Sequence, residues 1–224
     1  MVQNILVANQ TNYDQDWAAS SLIQILRRGE KAVILPLEYD EGWAVDAMEF
    51  QERFASGSDF HYDVERPLRA YGIRDIQWMD FHGALKSESC SDADILCIVG
   101  TDPDQCMERI HDLGLEDMLS SFHGLLILLS ESAHILEQEY ESESGYDRLM
   151  MEGLGILSGV HFLMHYDESE EQIRKMIRML ETDGKPLFVL SKKSGVLIAD
   201  GHIDLLGDAF IAEENDLDEL YSLL

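Results

Sequence analysis

A serine closes a run of five aliphatic residues in Gly124-Leu-Leu-Ile-Leu-Leu-Ser130-Glu-Ser-Ala-His134-Ile-Leu136. A buried strand that ends at a serine and turns at once into a helix lifts the hydroxyl above the sheet and aims helix N–H groups at it. That is an arrangement for a nucleophile. Serine is also a favoured N-cap, so the same pattern suits a helix start without chemistry. His134 falls four residues on, on the presumed helix, as a structural or pocket-lining residue. Two further histidines, His161 and His165, are spaced as a metal pair would be on a helix. On a strand the same spacing separates them by about 13 Å, too far to share one ion. No metal and no cofactor is therefore expected. Gly100-Thr-Asp-Pro lacks the spaced glycines and lysine of a phosphate loop. Cys97 and Cys106 read as core thiols in a strand and a helix.

The elements that would hold these residues alternate along the chain. Strands are expected at Asn4–Ala8, Ala32–Leu37, Ile76–Phe81, Ala93–Val99, Leu125–Leu129 and Ile156–Tyr166. Helices are expected over Asp16–Arg28, Trp43–Ala55, Tyr62–Tyr71, Pro103–His111, Leu115–Phe122 and Ser169–Leu180. Leu187–Leu190, Val196–Ala199 and Ala209–Ile211, broken at Gly195, Gly201 and Gly207, read as a terminal β-meander. A wholly apolar strand such as Leu125–Leu129 suits a central position covered on both faces. The order predicts one α/β domain over residues 1–224: a mainly parallel sheet, helices on both faces, and an antiparallel extension at one edge. The flavodoxin-like and class I glutamine amidotransferase-like folds have this architecture. The amidotransferases use a cysteine where this chain has Ser130.

Bulk properties exclude several classes. The 224 residues, 46% of them hydrophobic, fit one folded domain. No apolar run is long enough for a membrane span, and the N-terminus reads as a first strand rather than a secretory signal. Three cysteines without CxxC spacing fit a reducing cytosol, so a cytoplasmic location is expected. A formal net charge of −28 repels phosphate backbones and anionic lipids, which excludes nucleic acid and membrane surfaces as partners. Self-association as a symmetric dimer is the expected alternative.

Gly124 to Leu136 resembles the nucleophile segment of the S51 serine peptidases, the dipeptidase E and cyanophycinase family, in which an apolar strand leads into Gly-Thr-Ser-Ala-Gly-Ala and a helix. Ala93-Asp-Ile-Leu-Cys-Ile-Val-Gly100-Thr101-Asp-Pro103 resembles the family's strand and Gly-Gly loop. Gly153-Leu-Gly-Ile-Leu-Ser-Gly-Val-His161-Phe-Leu-Met-His165-Tyr166 resembles its Gly-Leu-Gly-Leu-Leu-Pro-Gly-Val strand ending in His-Phe. The resemblance runs from Ala93 to Ile211. It implies a serine hydrolase of short peptides, with Ser130 as nucleophile and His165, 35 residues later, as base. It implies an oxyanion hole from backbone N–H groups of Gly100, Thr101 and Glu131. It also implies an acid between serine and histidine, for which Glu143 is the choice within the acidic stretch from Glu139 to Asp147. Arg174 is the remaining member of the family's basic cluster, whose other positions hold Ser169 and Glu171. Arg174 and His134 are the expected substrate-binding residues, and water or a basic residue such as Arg174 is the expected partner of Glu131. The chain departs from the family at Thr101, Glu131 and Ser132, where alanine and glycine are usual. A catalytically impaired homologue serving as a binding or scaffold protein is the alternative.

Overall fold

A computed structural model of the chain describes residues 4–37, 46–82, 90–142 and 149–224. Seven strands form the main sheet: β1 (Asn4–Ala8), β2 (Lys31–Pro36), β3 (Asp75–Trp78), β4 (Ile95–Val99), β5 (Leu125–Leu129), β10 (Ser194–Ala199) and β11 (His202–Gly207). Their spatial order is β11-β10-β1-β5-β4-β2-β3, which makes β5 the middle strand. The five from β1 to β3 are parallel, while β10 and β11 extend the β1 edge antiparallel. This is the expected mainly parallel sheet with an antiparallel extension.

Alternation along each strand divides the core. Val33, Leu35, Leu96, Ile98, Leu126 and Leu128 face Cys106 and Ile110 of the helix Pro103–Leu113. Ile34, Cys97, Ile127 and Leu129 face Leu22 and Leu26 of the helix Ala19–Leu26, and Val64 and Leu68 of the helix Asp59–Ala70. Helices on both faces leave every residue of β5 buried, as a strand that reads Leu-Leu-Ile-Leu-Leu requires. The three cysteines are buried and free, and burial pushes the Cys97 thiol up to about 12. Among the described residues no helix is long and apolar enough to cross a membrane.

The C-terminal half departs from the expected meander. β8 (His161–Tyr166), β9 (Leu187–Ser191) and β12 (Phe210–Ala212) form a second sheet in the order β12-β9-β8, with β8 and β9 parallel. The turn between β9 and β10 thus passes from one sheet to the other. β11 lies between the glycines that read as breaks. The strand expected from Ile156 begins only at His161, because Gly155 and Gly159 adopt φ of 64° and 77°. A small hairpin pairs β6 (Glu139–Ser142) with β7 (Leu149–Glu152), in a stretch read from sequence only as a source of acids. The helix Glu170–Asp183 packs Ile173, Met176, Ile177 and Leu180 against Leu163, Leu187 and Val189 of the second sheet. Part of the helix expected over Trp43–Ala55 lies outside the described residues, and the described part runs from Ala47 to Phe54.

Candidate functional site

Ser130 stands where β5 stops, at the carboxyl end of the parallel strands, where open α/β sheets place their sites. Its backbone is left-handed, with φ of 60°. A serine gains nothing locally from that conformation, which costs on the order of 1–3 kcal/mol and persists only where surroundings impose it. The next residues form a 3-10 helix, Ser130–Leu136, rather than the expected α-helix, and the Ser130 side chain does not cap it. Its Oγ instead lies 2.9 Å from His165 Nε2. The N-cap pattern and the nucleophile pattern were indistinguishable in sequence. Here they separate.

His165 reaches the serine from the second sheet. The pairing of β8 with β9 shifts register between Leu163 and Tyr166, and His165 itself has φ of 54°. A local bulge of this kind re-aims one side chain out of the strand's alternation. His161 through Met164 are buried, whereas the His165 side chain is 51% exposed. The two histidines of the HxxxH spacing serve different neighbourhoods: His161 bonds Glu137 and Asp183, and His165 bonds Ser130.

The other expected site residues fall out as follows. Gly100 O accepts a hydrogen bond from Ser132 N–H at 3.2 Å, which ties the Gly100–Thr101 loop to the turn. Among described non-glycine residues φ is positive at Ser130, His165, Glu168 and Asp200 alone, so Thr101 does not take a left-handed backbone. Ser132 is fully buried and donates through Oγ to Leu129 O at 2.8 Å. Arg174 does not meet Glu131: it pairs with Glu170, four residues back on its own helix, at 2.5 Å. Nor is His134 open to a substrate, being only 12% exposed with both ring nitrogens occupied. Glu143 lies outside the described residues, as does Asp147. Glu141 bonds Arg178 at 2.9 Å, away from His165.

The feature that sequence reasoning missed is a ladder of alternating charges. Glu131 Oε1 lies 3.6 Å from His165 Nε2, and its Oε2 lies 3.0 Å from His134 Nε2. His134 Nδ1 is 2.7 Å from Glu137 Oε1. Glu137, 1% exposed, also holds His161 Nδ1 and accepts from Phe162 N–H at 3.3 Å. His161 Nε2 is 3.0 Å from Asp183, which pairs with Lys185 at 2.7 Å. A carboxylate only accepts, so carboxylates facing both nitrogens of His134, and both of His161, favour the imidazolium form of each ring. Burial alone would push the His134 ring down, but the charge and hydrogen bonds of Glu137 and Glu131 drive it up to about 10. Burial would likewise raise the Glu131 carboxyl, yet the bond and charge of His134, with His165 and Lys175, hold it below the usual range. A 3-10 helix has three residues per turn and eclipses side chains at that interval. Glu131-x-x-His134-x-x-Glu137 therefore lines up along one edge. The period of three inside an apolar segment was the signal that could have revealed it.

No family model matches the sequence, and no curated protein does. Among solved structures the chain is similar to the 1.5 Å crystal structure of a protein from Listeria monocytogenes EGD-e provisionally assigned as a peptidase E. The TM-score is 0.61 at 10% identity, over 92% of this chain and 98% of that one. The fold is thus peptidase E-like. Among the described residues no group of three or more His, Cys, Asp or Glu side chains is arranged to hold a metal ion.

Proposed function

We propose that the protein is a serine hydrolase of short peptides, with Ser130 as nucleophile and His165 as general base. The observation that carries this reading is the 2.9 Å contact between Ser130 Oγ and His165 Nε2, made from a left-handed serine at the end of the middle strand. His165 Nε2 would accept the hydroxyl proton as Oγ bonds to the peptide carbonyl carbon, then return it to the leaving amine as the C–N bond breaks. Backbone N–H groups of Gly100, Thr101 and Glu131 are the proposed oxyanion donors. The chain beyond His165 carries Asp167, Glu168, Glu170 and Glu171, which disfavours acidic peptides. A library of neutral, basic and acidic dipeptides and tripeptides tests the reading. Wild type should release amino acids from the neutral and basic members, and His165→Ala should release none. Equal turnover by the variant would remove His165 from the mechanism.

One observation favours the second reading, an impaired homologue acting as a binding or scaffold protein. Among the described residues no carboxylate bonds His165 Nδ1, where an orienting acid would act. We further propose a cytoplasmic location and a symmetric dimer. Ile203 and Leu205, exposed on the same face of edge strand β11, offer an apolar contact that an acidic chain would need. Light scattering gives the stoichiometry.

A further inference from the structure

The charge ladder has no part in acyl transfer as just described, yet it ends against the base. Glu131 is the one described carboxylate in ion-pair reach of His165, 3.6 Å from the nitrogen that also contacts Ser130. Its other oxygen is held by His134, which is fixed in turn by a carboxylate, Glu137, that has no access to water. We propose that Glu131 stabilises the protonated form of His165, and that His134 is the positioning residue that aims it. The proposal rests on the Ser130–His165 reading for its catalytic meaning.

The proton accounting is simple. When Ser130 Oγ bonds to the acyl carbon, its proton moves to His165 Nε2 and the ring becomes a cation. In the usual arrangement an acid at Nδ1 balances that charge. Here a carboxylate on the residue after the nucleophile stands beside Nε2 instead. The departure from alanine at position 131 then has a use, and the imidazolium at 134 explains why the carboxylate does not swing freely. The charged groups facing Glu131 are His134 on its own 3-10 helix, His165 on β8, and Lys175 on the helix Glu170–Asp183. A fixed cation at 134 restrains Glu131 without discharging it.

An NMR pH titration of the His165 ring reads the coupling whether or not the protein is an enzyme. Glu131→Gln keeps an acceptor for His134 and removes the charge. A negative charge 3.6 Å away favours imidazolium, so its loss should lower the His165 midpoint. An unchanged or raised midpoint overturns the proposal. His134→Gln removes a cation as well as the aim, and loss of a neighbouring cation by itself raises the midpoint, so a fall in the wild-type background that is absent in the Glu131→Gln background is the expected result. A rise in the wild-type background, or a further fall in the double variant, overturns the positioning role. Should His134→Gln fail to fold, His134→Lys, which keeps a cation beside Glu131, should hold the midpoint near wild type, and a fall like that of Glu131→Gln overturns the role. A shifted midpoint in a protein that hydrolyses no peptide supports the charge pair and rejects the hydrolase.

Discussion

Replacing Glu137 with glutamine should cost the fold about 3–5 kcal/mol near neutral pH, the range for breaking a buried ion pair and leaving its partner uncompensated. Glu137 is 1% exposed and bridges two imidazoliums while accepting from Phe162 N–H. Glutamine keeps one oxygen, enough for one ring, and turns an NH₂ group toward the other. The pH dependence supplies a second, independent number. The folded His134 sits at about 10 against an ordinary 6.5. A group raised on folding contributes stability that is complete below its unfolded pKa and is lost as the pH climbs through the folded one. The interval corresponds to at most ~5 kcal/mol, lost between pH ~6.5 and ~10. Urea unfolding of wild type and Glu137→Gln at pH 6, 8 and 10 measures both effects. The gap should be widest at pH 6 and close toward pH 10, where deprotonation of His134 breaks the same ion pair in wild type. A gap below about 1 kcal/mol at pH 6, or one that does not change with pH, would refute the reasoning.

Further outcomes follow from the same geometry. Gly153 backs onto the ladder, where a Cβ would run into the Glu137 carbonyl oxygen. Gly153→Ala should therefore destabilise by about 1–3 kcal/mol in denaturant unfolding, and a neutral result would mean the hairpin shifts freely. Asp183, where burial is outweighed by bonds from Lys185 and His161, titrates at about 2. Depressed on folding, it contributes stability above pH ~4 that is lost as the pH falls through ~2. Asp183→Asn should raise the midpoint of acid unfolding followed by circular dichroism, and superimposable curves would count against the pair. With a net charge of −28 the protein should pass through heparin unretained at low salt, and salt-dependent elution would overturn the exclusion of nucleic acid.

The sheet and its middle strand were legible because burial on both faces leaves an unbroken aliphatic run, and Leu125–Leu129 has no other use. The Ser130 and His165 positions were legible through their places at strand ends and through resemblance; their meeting was not, since it depends on a left-handed serine and a register shift in another sheet. Of the C-terminal strands β9, β10 and β12 were found and β11 was missed, and short apolar runs do not say which sheet each joins, so β9 and β10 were wrongly placed in one meander. Reading the segment after Ser130 as an α-helix hid the ladder. At 3.6 residues per turn Glu131, His134 and Glu137 drift apart, and at three per turn they align. Arg174 was offered as a basic partner for Glu131, whereas a local i,i+4 partner, Glu170, was closer along the helix.

Whether Ser130 is an activated nucleophile is decided most directly by reaction with a fluorophosphonate at pH 8, followed by mass spectrometry of the digested protein. A stoichiometric adduct on Ser130 is expected, abolished in Ser130→Ala and strongly slowed in His165→Ala. An unmodified Ser130 in folded wild type, or an adduct formed equally fast without His165, would contradict it.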